Sequence, residues 1–138
     1  MEKNQQELIF KLSMFEQQIQ QLQQQLQAVE QGIVEISSLN IGLDELKGSK
    51  GKEILAPIGR GIFAKTKLLS EELTVDVGGG NFVKKSIPET KKIIEKQINK
   101  LEDVKKDLNS NLEKVSEELQ ITMFNAQKEQ SEKKDLKK

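Results

Sequence analysis

Apolar side chains recur along the first third of the chain in steps of four and three. Leu8, Leu12, Phe15, Ile19, Leu22, Leu26, Val29, Ile33, Ile36 and Leu43 keep this phase without a slip, with the polar Asn40 filling the one remaining place. A 3.5-residue period is the mark of a coiled-coil seam rather than of a helix lying on a globular core. With Leu8 at d, the a positions are Leu12, Ile19, Leu26, Ile33 and Asn40, and a helix is predicted over residues 1–46. The stretch Gln17 to Gln27 is mostly glutamine, yet Ile19, Leu22 and Leu26 interrupt it in register, which predicts solvated helix faces rather than a disordered glutamine tract.

A second seam runs through Ile87, Lys91, Ile94, Ile98, Leu101, Lys105, Leu108, Leu112, Val115, Leu119, Thr122 and Ala126. Ser86 with Glu89 three residues on has the spacing of a capping box, and Pro88 suits a first turn, so a helix is predicted over 87–128. Each helix, at about 40 residues and 1.5 Å per residue, spans roughly 60 Å. The polar residues 129–138 are expected to form a disordered tail.

Between the helices, residues 47–86 lose the heptads and gain glycine, proline and β-branched residues. Four short strands are predicted: Glu53 to Ile58, Ile62 to Leu69, Leu73 to Val77, and Phe82 to Lys85. Gly59-Arg60-Gly61 and Gly78-Gly79-Gly80-Asn81 supply the turns of two successive hairpins. Pro57 donates no backbone hydrogen bond, so the first strand lies at a sheet edge or stops there. The expected fold class is α+β: a long antiparallel two-helix coiled coil with two β-hairpins inserted between the helices.

Antiparallel coiled coils set a against d. Pairing Leu12 with Thr122, Ile19 with Val115, Leu26 with Leu108 and Ile33 with Leu101 satisfies this throughout, and it sets Asn40 beside Ile94, Val29 beside Lys105 and Leu43 beside Lys91. Registers displaced by one heptad match a to d equally well.

The functional signal lies in apolar residues that the seam does not use. Ile9, Phe10 and Met14 fall at e, f and c of the first helix, and Ile121, Met123 and Phe124 at c, e and f of the second. Antiparallel pairing gathers all six at the tip away from the insert, where the seam residue Phe15 joins them as a candidate client-binding set. The shaft between is polar. Near the insert Ala28, Val34, Leu39, Ile41, Leu46, Ile93 and Val104 are again apolar off the seam, and the hairpins are expected to cover some of them. A few flexible, methionine-containing apolar groups suit weak and promiscuous contact with an apolar polymer; the competing explanation is that the tips bury each other in a dimer or fray without consequence. The two hairpins are marginal alone and have free edges, so association through the strands is expected. Its candidate residues are Ile54, Leu55, Ile58, Ile62, Phe63, Leu68, Leu73, Val75, Val77, Phe82 and Val83.

Composition narrows the chemistry. The 138 residues contain no Cys, His, Trp or Tyr, which removes disulfides, Cys/His metal sites and Ser–His or Cys–His catalysis. Lys+Arg and Asp+Glu balance at 22 each, leaving no basic excess for phosphates or anionic lipid. The glycine runs lack a following Gly-Lys-Ser/Thr, and Lys47 to Lys52 lacks interleaved aromatics, so neither a phosphate loop nor a nucleic-acid site is indicated. Exposed pairs such as Glu71-Glu72 and Glu117-Glu118 lack the burial that acid–base catalysis exploits. No apolar run approaches the roughly 20 residues that span a bilayer. A cytoplasmic protein that is not an enzyme, with no cofactor, no metal, no nucleic acid and no membrane partner, is expected.

These residues carry a resemblance. The blocks Glu53-Ile54-Leu55-Ala56-Pro57-Ile58-Gly59, Ile62-Phe63-Ala64-Lys65-Thr66-Lys67-Leu68 and Val75-Asp76-Val77-Gly78-Gly79-Gly80-Asn81-Phe82-Val83-Lys84-Lys85-Ser86, set between two heptad helices, resemble the prefoldin family, and the presence of two hairpins resembles its α-type, archaeal members. The resemblance implies a hexamer of two α-type and four β-type subunits, whose hairpins form a double β-barrel platform carrying six coiled coils. It implies an ATP-independent holdase that binds non-native proteins at the tips and delivers them to a group II chaperonin. A coiled-coil scaffold or adaptor docking one folded partner is the alternative. The resemblance ties no function to the glutamine-rich shaft.

Overall fold

The computed structural model describes residues 3–136, with side chains described for 3–132. In chain order it contains α1 (Lys3–Leu46), β1 (Glu53–Gly59), β2 (Ile62–Lys67), β3 (Leu73–Asp76), β4 (Phe82–Lys85) and α2 (Ile87–Leu136). Two compact units emerge, one built from the chain up to Gln31 together with the chain from Glu102 onward, the other from Gly32–Leu101.

In the first unit α1 and α2 run antiparallel. Leu8 and Lys11 share a groove with Thr122 and Ala126, Leu22 lies near Val115, and the Lys105 ammonium stands 3.8 Å from the Glu30 carboxylate. From Leu8 to Val29 on α1 and from Lys105 to Ala126 on α2, the residues at seam positions are half-buried, while the e, f, b and c positions around them are almost all exposed. Two helices give each seam residue only one neighbouring wall, so none of these side chains is fully enclosed.

The second unit holds the buried cluster. Leu43, Ile87 and Ile94 are buried together, and Ile36, Leu46, Leu73 and Ile98 pack against them. Leu73 ties β3 to the helices. Leu101 meets Gly32, where its Cδ1 lies 3.6 Å from the position a Cβ would take, and Lys91 forms an ion pair with Asp44. Pairing therefore follows the a-to-d register on this side also.

Helix ends follow local chemistry. Gly48, with φ of 74°, stands just beyond α1, and the Ser49 amide and hydroxyl donate to the carbonyls of Leu46 (3.1 Å) and Glu45 (2.9 Å). A glycine in the left-handed region is the usual way to close a helix C-terminus. At the start of α2 the Glu89 amide donates to Ser86 Oγ at 3.2 Å, and the Ser86 hydroxyl donates to Glu89 Oε1 at 3.1 Å. Thr90, buried one turn in, donates its hydroxyl to the Ser86 carbonyl at 2.8 Å. The capping spacing is realised.

The strands form two separate two-stranded antiparallel sheets, β1–β2 and β3–β4. Between Gly59 and Ile62 the two turn residues Arg60 and Gly61 both have positive φ, 49° and 79°, the conformation that matches the right-handed twist of a tight hairpin. Register shifts between Pro57 and Gly59, leaving Ile58 without a ladder partner. Pro57 is accommodated because β1 pairs on one side only. In the second hairpin the Gly78 amide donates to Asp76 Oδ1 (2.9 Å), and Val77 donates to the Asn81 carbonyl (2.9 Å).

Four predicted boundaries move. β1 ends at Gly59 rather than Ile58. β2 ends at Lys67 rather than Leu69: Leu68 still bonds to Gly51 and Lys52, but the chain then turns at Ser70, whose hydroxyl accepts from the Glu72 amide. β3 ends at Asp76 because Val77 belongs to the turn. The largest correction is at the C-terminus, where α2 continues to Leu136 through most of the stretch predicted to be a disordered tail. Residues 127–136 contain no Gly or Pro and are rich in Lys, Glu and Gln, so an existing helix propagates through them at little cost even after the apolar seam has ended. Residues 1–2 of the predicted first helix and 137–138 of the predicted tail lie outside the described residues.

Candidate functional site

In the first unit, the opening turns of α1 and the later turns of α2 carry Ile9, Phe10, Met14, Ile121, Met123 and Phe124, and all six are exposed; Phe10 and Phe124 present 66% and 65% of their surface. The reason is geometric. Their neighbours Leu8, Leu12, Phe15, Thr122 and Ala126 occupy the seam, and a helix that turns those inward holds e, f and c positions outward. Phe15, grouped with the six from the sequence, differs from them in being half-buried in the seam. The groove between the helix ends is about 480 Å³ and is walled by Asn4, Lys11, Asn125 and Glu129, with Leu8 and Ala126 at the seam. Its titratable groups, Glu7, Lys11 and Glu129, are all exposed side chains. What this end offers is apolar surface on flexible side chains, interleaved with polar ones.

The second unit presents a different surface. On β1 and β2, Leu55, Ile58, Ile62 and Phe63 are exposed, and on the second hairpin so are Val77, Phe82 and Val83, whereas Ile54, Leu68, Leu73 and Val75 are half-buried. The alternation in β1 puts Ile54 and Ala56 on the sheltered face and Leu55 and Pro57 on the open one. Each sheet has two strands, so among the described residues an outer edge of every strand lacks a backbone partner. Exposed apolar residues next to free edges are what strand pairing between chains requires.

Some of the off-seam apolar residues near the insert are sheltered and others are not. Leu46 packs against the buried cluster and Ile93 is half-buried, but Val34, Leu39 and Ile41 of the second unit remain exposed, as do Ala28 and Val104 of the first. The heptad pattern identifies these positions as off-seam; which of them a hairpin shields depends on where Leu73 docks, and no local signal specifies that. Glu53–Lys65 (3.2 Å) and Glu72–Lys84 (3.7 Å) link solvated side chains and contribute little to stability. Among the described residues, no helix is long and apolar enough to cross a membrane.

Comparison with known proteins gives a consistent picture. Residues 15–132 match the family model described as "Prefoldin subunit". The chain is 33% identical over 112 residues to prefoldin subunit alpha of Methanobrevibacter smithii, covering 80% of this chain and 77% of that one. To prefoldin subunit alpha of Methanococcus maripaludis strain C5 it is 30% identical over 105 residues, 75% of this chain and 72% of the relative. Among solved structures, filamentous PFD from Methanocaldococcus jannaschii, determined by cryo-EM, superposes with a TM-score of 0.74 at 20% identity, covering 83% of this chain and 97% of that one; at that identity the likeness is one of fold.

Proposed function

This chain belongs to the prefoldin family of molecular chaperones, and on that premise we propose that it is an α-type subunit that holds non-native proteins by the apolar end of its helix pair. The observation that carries this reading is the set of six off-seam side chains, Ile9, Phe10, Met14, Ile121, Met123 and Phe124, which are exposed among the described residues at one end of the first unit. Fully burying one such side chain against a client is worth about 1.5–3 kcal/mol. One end therefore binds weakly, and several ends carried by one assembly bind by avidity. Holding of this kind rests on apolar burial and needs no nucleotide.

The exposed faces and open edges of the two hairpins support assembly through the strands with other prefoldin subunits, and membership of the family supports the finer reading of two α-type with four β-type chains, in the cytoplasm, handing clients to a group II chaperonin. An adaptor that docks a single folded partner is the weaker reading, because none of the six exposed apolar side chains lines the groove between the helix ends.

Replacing Phe10, Met14, Met123 and Phe124 together by Ser tests the proposal. Native mass should show unchanged assembly with a β-type partner, while suppression of aggregation of unrelated denatured proteins should be lost. Undiminished suppression would refute binding at this end. Saturable binding to one folded protein, with no protection of denatured ones, would establish the adaptor instead.

A further inference from the structure

We propose that the two seam lysines, together with the acid-free glutamine stretch of α1, select one axial register of the helix pair. The apolar seam cannot make that choice, since a heptad slip again sets a against d. Lys105 and Lys91 can. Both occupy seam positions and are half-buried, their side chains 35% and 21% exposed, and each meets an acid on the facing helix: Lys105 meets Glu30 at 3.8 Å in the first unit, and Lys91 meets Asp44 in the second. Each acid follows by one residue the seam position, Val29 or Leu43, that faces the lysine.

Displacing α2 by one heptad toward the start of α1 brings Lys105 to Leu22, where the following residue is Gln23, and Lys91 to Ile36, followed by Ser37. Displacement the other way brings Lys105 to Ile36 and Ser37, and sends Lys91 past Leu46, the last residue of α1. Neither slipped register offers either lysine a carboxylate at the equivalent place. From Gln17 to Val29 α1 contains no acid at all. Glutamine keeps this stretch helical and solvated while providing no counter-charge at which Lys105 could stop. Partly exposed ion pairs add little by themselves, so the selection comes from the slipped states, in which two lysine side chains lying in the seam lose their counter-charge. A slip of one heptad displaces the helices by about 10.5 Å, from the 1.5 Å rise per residue. In the first unit that would part Ile9, Phe10 and Met14 from Ile121, Met123 and Phe124.

The chain has no cysteine, so introduced pairs report register directly. In the full-length protein, Ile19→Cys with Val115→Cys reports the observed register, and Ile19→Cys with Leu108→Cys the slipped one. Moving both acids back by one heptad (Gln23→Glu, Glu30→Gln, Ser37→Asp, Asp44→Asn) is expected to reverse the ratio of the two cross-links in favour of Leu108. As a second arm, Lys105→Glu should lose the Val115 cross-link and the added Glu30→Lys should restore it. Retention of the Val115 cross-link after the acids are moved overturns the proposal. So does failure of Glu30→Lys to restore it, and this second arm decides the matter if the fourfold variant does not fold.

Discussion

Asn40 shows how much one residue costs in a two-walled core. It takes an a position in the seam, and its Oδ1 is buried without a hydrogen-bond partner. Leaving such an acceptor unsatisfied costs about 1–3 kcal/mol. Replacing it by Leu removes that cost and adds an apolar side chain where the register places Ile94 opposite. Asn40→Leu is therefore expected to raise stability by about 1 kcal/mol or more, seen as an increase in the thermal midpoint. A lower midpoint would show that the amide makes an interaction the apolar side chain cannot replace. The price of such a polar seam residue is the usual one for specificity in coiled coils, and it places Asn40 in the same class of feature as Lys91 and Lys105.

Among the elements, α2 is the most informative because its two ends obey different rules. Its N-terminus is specified by a local hydrogen-bond exchange between Ser86 and Glu89, reinforced by the buried Thr90. Ser86→Ala removes the acceptor for the Glu89 amide and is expected to cost about 1 kcal/mol, a typical loss for an N-cap. The measurement is the urea midpoint at unchanged m-value; an unaltered midpoint would show that the cap contributes nothing beyond what water supplies. The C-terminal end has no such signal. There helix persists through polar residues because nothing stops it, which is why a boundary drawn at the last apolar seam residue falls short. β1 is the converse case: Pro57 and the unpaired Ile58 disturb its ladder, yet the strand survives because β2 on one side is its only partner.

For the whole molecule, the exposed apolar strands are the feature that one chain leaves unresolved. A lone two-stranded hairpin is marginal in water, and Leu55, Ile58, Ile62, Phe63 and Phe82 are open on these two. Assembly through the strands covers such residues and pairs the free edges. Val75→Pro removes a backbone donor in the middle of the β3–β4 ladder, where Val75 faces Val83. Native mass is expected to show release of the variant from complexes with a β-type partner, with helical circular dichroism largely retained. An intact hexamer would show that the second hairpin does not hold the subunits.

Periodicity specified both helices up to the last turns of α2, their seams and the outward position of Phe10 and Phe124, while residue type marked the Ser86 cap and the turn glycines. These follow from backbone geometry acting over a few residues, and the burial along α1 and α2 repeats the heptads almost position for position. Tertiary structure decided the rest. It set which heptad register brings Lys91 to Asp44 and Lys105 to Glu30, which base residues Leu73 and its neighbours shelter, and where β2 gives way to the turn at Ser70. Those outcomes depend on partners dozens of residues away, and a repeat that looks the same after every seven positions carries no label to distinguish one alignment from the next.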